Sequence, residues 1–106
     1  MARPLDYKQV QQLLSPLELL RARGWAGWRE ANGSYRGPCP IHGSHSKRSR
    51  SLWVGSRQWR CWVCHRQGDV CDLLAWLDTI TPYEAALRIC QAAGQPVPYI
   101  PSPSPI

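Results

Sequence analysis

Cys39-Pro40-Ile41-His42 and Cys61-Trp62-Val63-Cys64, separated by 18 residues, decide how this 106-residue chain reads. Each pair sets two ligand side chains one knuckle turn apart. Two such pairs close tetrahedrally on one Zn²⁺ with a hairpin's length of chain between them. A Cys3His set leaves no coordination position for water, so the spacing predicts a structural metal rather than a catalytic one. The expected cofactor is a single structural Zn²⁺ held by Cys39, His42, Cys61 and Cys64, with no catalytic residue.

Two other chemistries use part of the same stretch. Cys61-Trp62-Val63-Cys64-His65 also spells a covalent haem attachment with His65 as axial ligand. That reading leaves Cys39 and His42 without a role. It also calls for export, and Met1-Ala2-Arg3-Pro4-Leu5-Asp6 has no uninterrupted apolar run to direct it. A redox disulfide between Cys61 and Cys64 needs a strand before the motif and a helix opening at it, in a larger α/β unit. The tryptophan-rich hairpin pattern here does not supply that unit.

Length leaves room for one domain, in which a metal cross-link is worth about 10–16 kcal/mol, as much as the whole stability of an ordinary domain. The remaining cysteines, Cys71 and Cys90, fall in helical patterns and are expected as small buried hydrophobes in a reducing, cytoplasmic setting. His45 competes with His42 as ligand, but the Cys-x-x-His spacing favours His42. No apolar run reaches the roughly 18–20 residues that cross a bilayer, so no membrane partner is expected. Net charge is +6, and its distribution is uneven: seven of the 13 Lys and Arg, and none of the seven acids, lie between Arg36 and Arg66. Such a one-signed segment attracts polyanions, of which nucleic acid is the commonest.

Around the ligand pairs the pattern predicts an α+β fold: a zinc ribbon with a small antiparallel sheet flanked by N-terminal and C-terminal helices. Asp6 caps a short helix through Val10, Leu13 and Leu14. Ser15-Pro16-Leu17-Glu18 is a capping box opening a second helix, which Gly24 ends. Asn32-Gly33 turns a first hairpin, 25–30 with 34–37, and Gly55-Ser56 turns a second, 51–54 with 59–62. Asp69 caps a helix through Leu77, and Thr81-Pro82-Tyr83-Glu84 opens a last one ending at Gly94. The domain is thus 1–94, and 95–106, with five prolines from Pro96 on, forms an extended proline-rich tail.

Taken together, Tyr35-Arg36-Gly37-Pro38-Cys39-Pro40-Ile41-His42, Trp59-Arg60-Cys61-Trp62-Val63-Cys64, Gly68-Asp69 and the Asp72-Leu73-Leu74 helix resemble the amino-terminal zinc-binding domain of bacterial DnaG-type DNA primases and their phage and plasmid relatives. The resemblance spans about Leu13 to Gly94. It departs at Arg48-Ser49-Arg50-Ser51-Leu52, where the family has Lys-Thr-Pro-Ser-Phe, and at His65, where it has glycine. The resemblance implies contact with single-stranded template DNA, nucleotide condensation being left to a separate polymerase domain. Here Asp69, Asp72, Asp78 and Glu84 are scattered along helices rather than clustered to hold two metals, so the chain is expected not to be an enzyme by itself.

Single strands are held by cations on phosphates and by rings stacked on bases. The expected DNA contacts are Arg36, Lys47, Arg48, Arg50, Trp53, Arg57, Arg60, Trp62 and Arg66. Strand alternation refines the choice. If Leu52 and Val54 face the helices, Trp53 faces out, and if Trp59 and Cys61 share a face, Arg60 and Trp62 share the other. Trp25, Trp28 and Trp76 are expected in the core, while Trp53, Trp59 and Trp62 read equally well as core or surface. The expected role is an accessory module serving a separate primase, polymerase or helicase chain in DNA replication, on a mobile element or phage. The alternative is a protein-docking zinc module without direct DNA contact.

Overall fold

The structure, a computed structural model, describes residues 5–41 and 50–99. Its elements are α1 (Tyr7–Gln11), α2 (Pro16–Ala22), β1 (Trp28–Arg29), β2 (Tyr35–Gly37), β3 (Leu52–Val54), β4 (Trp59–Cys61), β5 (Arg66–Gly68), α3 (Val70–Asp78) and α4 (Pro82–Ala92). The expected α+β class holds. Five antiparallel strands lie in the order of the chain, and helices precede and follow them.

Local chemistry explains most of the boundaries. Ser15 and Glu18 close a reciprocal cap, Glu18 N–H to Ser15 Oγ at 3.0 Å and Ser15 N–H to Glu18 Oε1 at 3.2 Å. The same device opens α3 between Asp69 and Asp72, at 3.0 and 3.1 Å. Thr81 Oγ1 accepts the Glu84 N–H at 3.1 Å with Pro82 in the first turn of α4. Gly33, at φ 88°, allows the tight return from β1 to β2, where Glu30 N–H reaches Ser34 O at 2.8 Å. The first helix is shorter than its apolar pattern predicts. It ends at Gln11, and Leu13 and Leu14 follow it as loop residues packed against the core.

Two features depart from the sequence reading. Strand β5 was not expected; it is short and polar, and forms because the chain leaving the second knuckle pairs with β4. Residues just after Gly94 also lie on the domain: Val97 packs on the core, Asp6 N–H donates to Pro98 O at 2.7 Å, and Leu5 bridges Tyr99.

The sheet has two unlike faces. Leu52, Val54, Trp59 and Cys61 are buried with Leu20, Val70, Leu73 and Ile89 in the core between the sheet and the helices. Trp59 anchors this layer, its Nε1–H donating to Asp69 O at 2.7 Å and its ring stacking on Trp76 at 5.1 Å and 6°. Among the described residues no helix is long and apolar enough to cross a membrane.

Candidate metal centre and outer sheet face

Cys39 follows the end of β2, Cys61 closes β4, and Cys64 sits in the turn before β5. Their three Sγ atoms lie within 4.8 Å of one another, with Cys39 and Cys64 at 3.7 Å. Two thiolates bound tetrahedrally to zinc at about 2.3 Å stand about 3.8 Å apart. A disulfide would need about 2.0 Å, so the spacing is that of ligands sharing an ion.

The backbone supports the same reading. Ile41 N–H points at Cys39 Sγ and Cys64 N–H at Cys61 Sγ, each at 3.4 Å. These donors stabilise negative sulfur at both knuckles. The first knuckle is tied to β3 by Cys39 N–H donating to Ser51 Oγ at 3.2 Å, and Trp62 N–H holds Ser51 O at 2.9 Å. Past the second knuckle, His65 takes a left-handed φ of 55°, which turns the chain back into β5.

Cys39 and Cys61 are buried. Burial, then hydrogen bonding with Cys61 and Cys39, pushes the Cys64 thiol up to about 12. Thiols crowded in this way keep their protons unless a cation replaces them. The mutual placement of the three sulfurs is one that could hold a metal ion. Of the expected ligands, His42 lies outside the described residues, as do Lys47 and Arg48 of the expected DNA contacts.

Burial likewise pushes the Cys71 thiol up to about 12 and also raises Cys90, but among the described residues neither has a second thiol cluster beside it. Both lie in the core as expected, far from reactive thiolates in character.

On the sheet's outer face, register sets Trp28 beside Arg36, Arg36 beside Trp53, Trp53 beside Arg60 and Arg60 beside Gln67. Residues paired in this way project to one side, so the five form a single row across every strand, and none of them is buried. Trp28, expected in the core, belongs to this row because its strand partner Arg36 fixes which face it takes. Trp62, exposed at 46 %, extends the row, and the Arg60 guanidinium lies 4.0 Å from its ring centroid.

A groove of about 790 Å³ runs over this face, lined by Arg36, Arg50, Trp53, Arg60 and Trp62 among others. These are five of the expected DNA contacts. Arg57 is exposed in the turn between β3 and β4. Arg66 projects to the other side: it pairs with Cys61, and its guanidinium carbon lies 5.9 Å from the Trp76 centroid.

Sequence reasoning overlooked two parts of this face. Gln67 enters through β5, which had no apolar signature. Glu30, just ahead of the basic segment but 20 residues from Arg50, forms an ion pair with Arg50 at 2.5 Å and brings one acid into the groove. Arg36 in turn donates to the Arg50 carbonyl through Nε at 3.1 Å and through Nη2.

No protein-family model and no curated protein sequence matches the chain. Among solved structures it is similar to the primase of Aquifex aeolicus, described as comprising its zinc-binding and RNA polymerase domains, with a TM-score of 0.71 and 19 % sequence identity. The superposition covers 91 % of this chain and 23 % of that one, so the likeness is one of fold and spans about a quarter of the Aquifex primase chain.

Proposed function

We propose that this chain is a zinc module of DNA replication that holds single-stranded DNA on its outer sheet face. It serves a primase, primase-like polymerase or helicase carried on another chain, within a phage or other mobile element. One structural Zn²⁺, held by Cys39, His42, Cys61 and Cys64, supplies a cross-link between the two hairpin ends and takes no part in bond making. The likeness in fold to a primase with a zinc-binding domain supports the replication setting.

The single observation that carries the DNA reading is the row Trp28, Arg36, Trp53, Arg60 and Gln67 on the side away from the core. Arginines that alternate with indole rings follow a phosphate chain while offering faces to successive bases, each worth about 1–3 kcal/mol. Lys47 and Arg48 add charge to the same basic segment. Arg57 lies at the turn end of the sheet, beside the strand carrying Arg60, and Arg66 adds to the long-range attraction without touching the groove.

Fluorescence anisotropy with labelled single-stranded oligonucleotides tests this directly. Binding that weakens steeply with salt, and that Arg60→Glu reduces, is expected. An absence of binding at low salt removes the proposal.

A further inference from the structure

Beside the second knuckle, along β5, lies a second hollow of about 620 Å³, which shares Trp59 and Gln67 with the Trp53 groove. His65, Arg66, Asp72, Trp76, Ile80 and Pro82 line it. Its size falls in the range of small-molecule sites, about 300–1,000 Å³.

Three observations on its walls bear on what it could hold. Trp76 is only half-buried: Trp59 stacks on its ring at 5.1 Å, yet the Arg66 guanidinium stands off at 5.9 Å, against 4.0 Å for Arg60 over Trp62. Arg66 is the one described cation of the basic segment whose strand register turns it to this side. His65 occupies a left-handed backbone, φ 55°, that glycine adopts freely and histidine does not, and its side chain is exposed beside Arg66.

We propose that this hollow binds a nucleotide, with the base on the Trp76 ring and the phosphate on the Arg66 guanidinium and the His65 imidazole. An indole stacks on any nucleobase. A guanidinium offers paired donors that match phosphate oxygens. The Asp72 carboxylate, whose Oδ2 accepts the Asp69 N–H at 3.1 Å, favours a base that presents an amino group. The ligand is either a free nucleotide or the phosphorylated end of a strand, and the site adjoins the outer groove at Trp59 and Gln67.

Nuclear magnetic resonance on the zinc-loaded full chain tests the assignment. The probes are ATP, dTTP and inorganic triphosphate, then trinucleotides with and without a 5′-phosphate. Expected are saturable shifts at the Trp76 indole N–H and the Arg66 amide, stronger with ATP than with dTTP or triphosphate. Arg66→Ala should weaken binding about tenfold. His65→Gly, which relieves the backbone and so folds, should weaken it as well. The tighter of the free nucleotide and the phosphorylated trinucleotide identifies the source. Shifts confined to Trp53 and Trp62, unchanged affinity in both variants, or no saturation at millimolar nucleotide would overturn the proposal.

Discussion

The Trp25 indole Nε1–H donates to the Pro38 carbonyl at 2.7 Å, one residue ahead of Cys39. A core ring thereby fixes the approach to the first knuckle. Arg21 fastens the same ring from α2, donating to Trp25 O and Gly27 O, each at 2.8 Å, with its guanidinium carbon 5.6 Å from the Trp25 centroid. Two glycines make the slot. A Cβ on Gly27 would meet the indole at 2.0 Å, and one on Gly37 would meet it at 2.5 Å and the Gly27 Cα at 2.8 Å.

Gly37→Ala is therefore expected to destabilise the zinc-loaded protein by about 1–3 kcal/mol, since backbone as well as ring must shift. Trp25→Phe, which keeps an aromatic ring but loses the donor, should cost about 1 kcal/mol or more. Urea unfolding with matched zinc reads both. A Gly37→Ala midpoint equal to that of the parent would disprove the slot.

Removal of the metal should unfold the sheet. The cross-link is worth about 10–16 kcal/mol against about 5–15 kcal/mol for a whole domain. Cys61→Ser, or excess chelator, is expected to abolish the cooperative thermal transition seen by circular dichroism, while elemental analysis of the parent gives one zinc per chain. A chelated protein that still melts cooperatively would count against the metal centre.

Glu30 is expected to restrain DNA binding. Its carboxylate neutralises Arg50 within the groove, and both groups are partly exposed, so the pair itself contributes little to stability, about 0–1 kcal/mol. Glu30→Gln should leave the melting temperature nearly unchanged and tighten oligonucleotide binding several-fold at low salt. Weaker binding in this variant would show instead that the ion pair shapes the groove for its ligand.

Alkaline pH should weaken the fold through Cys71. Its thiol is held up to about 12, first by burial and then by Asp69, Asp72 and Cys90, from an ordinary value of 9.0. A pKa raised in the folded state contributes stability that is complete below pH 9 and is lost as the pH climbs toward 12. Unfolding of the zinc-loaded parent and of Cys71→Ala, compared at pH 7.5, 9 and 10.5, should converge as the pH rises. Parallel curves would remove Cys71 as the cause.

Much of this arrangement was legible in the chain. Capping chemistry at Ser15, Asp69 and Thr81 opened three helices where the residues said they would, because a cap is a local bond between neighbours. Alternation set Trp53 apart from Leu52 and Val54, and Arg60 and Trp62 apart from Trp59 and Cys61, but which set faces the helices depends on packing between elements and was not legible. What escaped was non-local. Strand β5 carries no apolar residue and exists only because β4 offers a free edge. The Glu30 to Arg50 pair joins residues 20 apart, brought together by β1 and β2 lying beside β3. In a chain without phenylalanine Trp28 reads as a core aromatic, whereas its strand partner decides its face.

The sheet order, in which every strand neighbours the next along the chain, has a kinetic consequence. Each hairpin can form by local zipping, and pairing at short sequence separation is quick. Juxtaposing Cys39 with Cys61 and Cys64 must span β3 and the chain on either side of it, so a bound ion would close a ring that the hairpins have already drawn nearly shut. Metal capture then comes late, and zinc should slow the rate of unfolding far more than it speeds refolding.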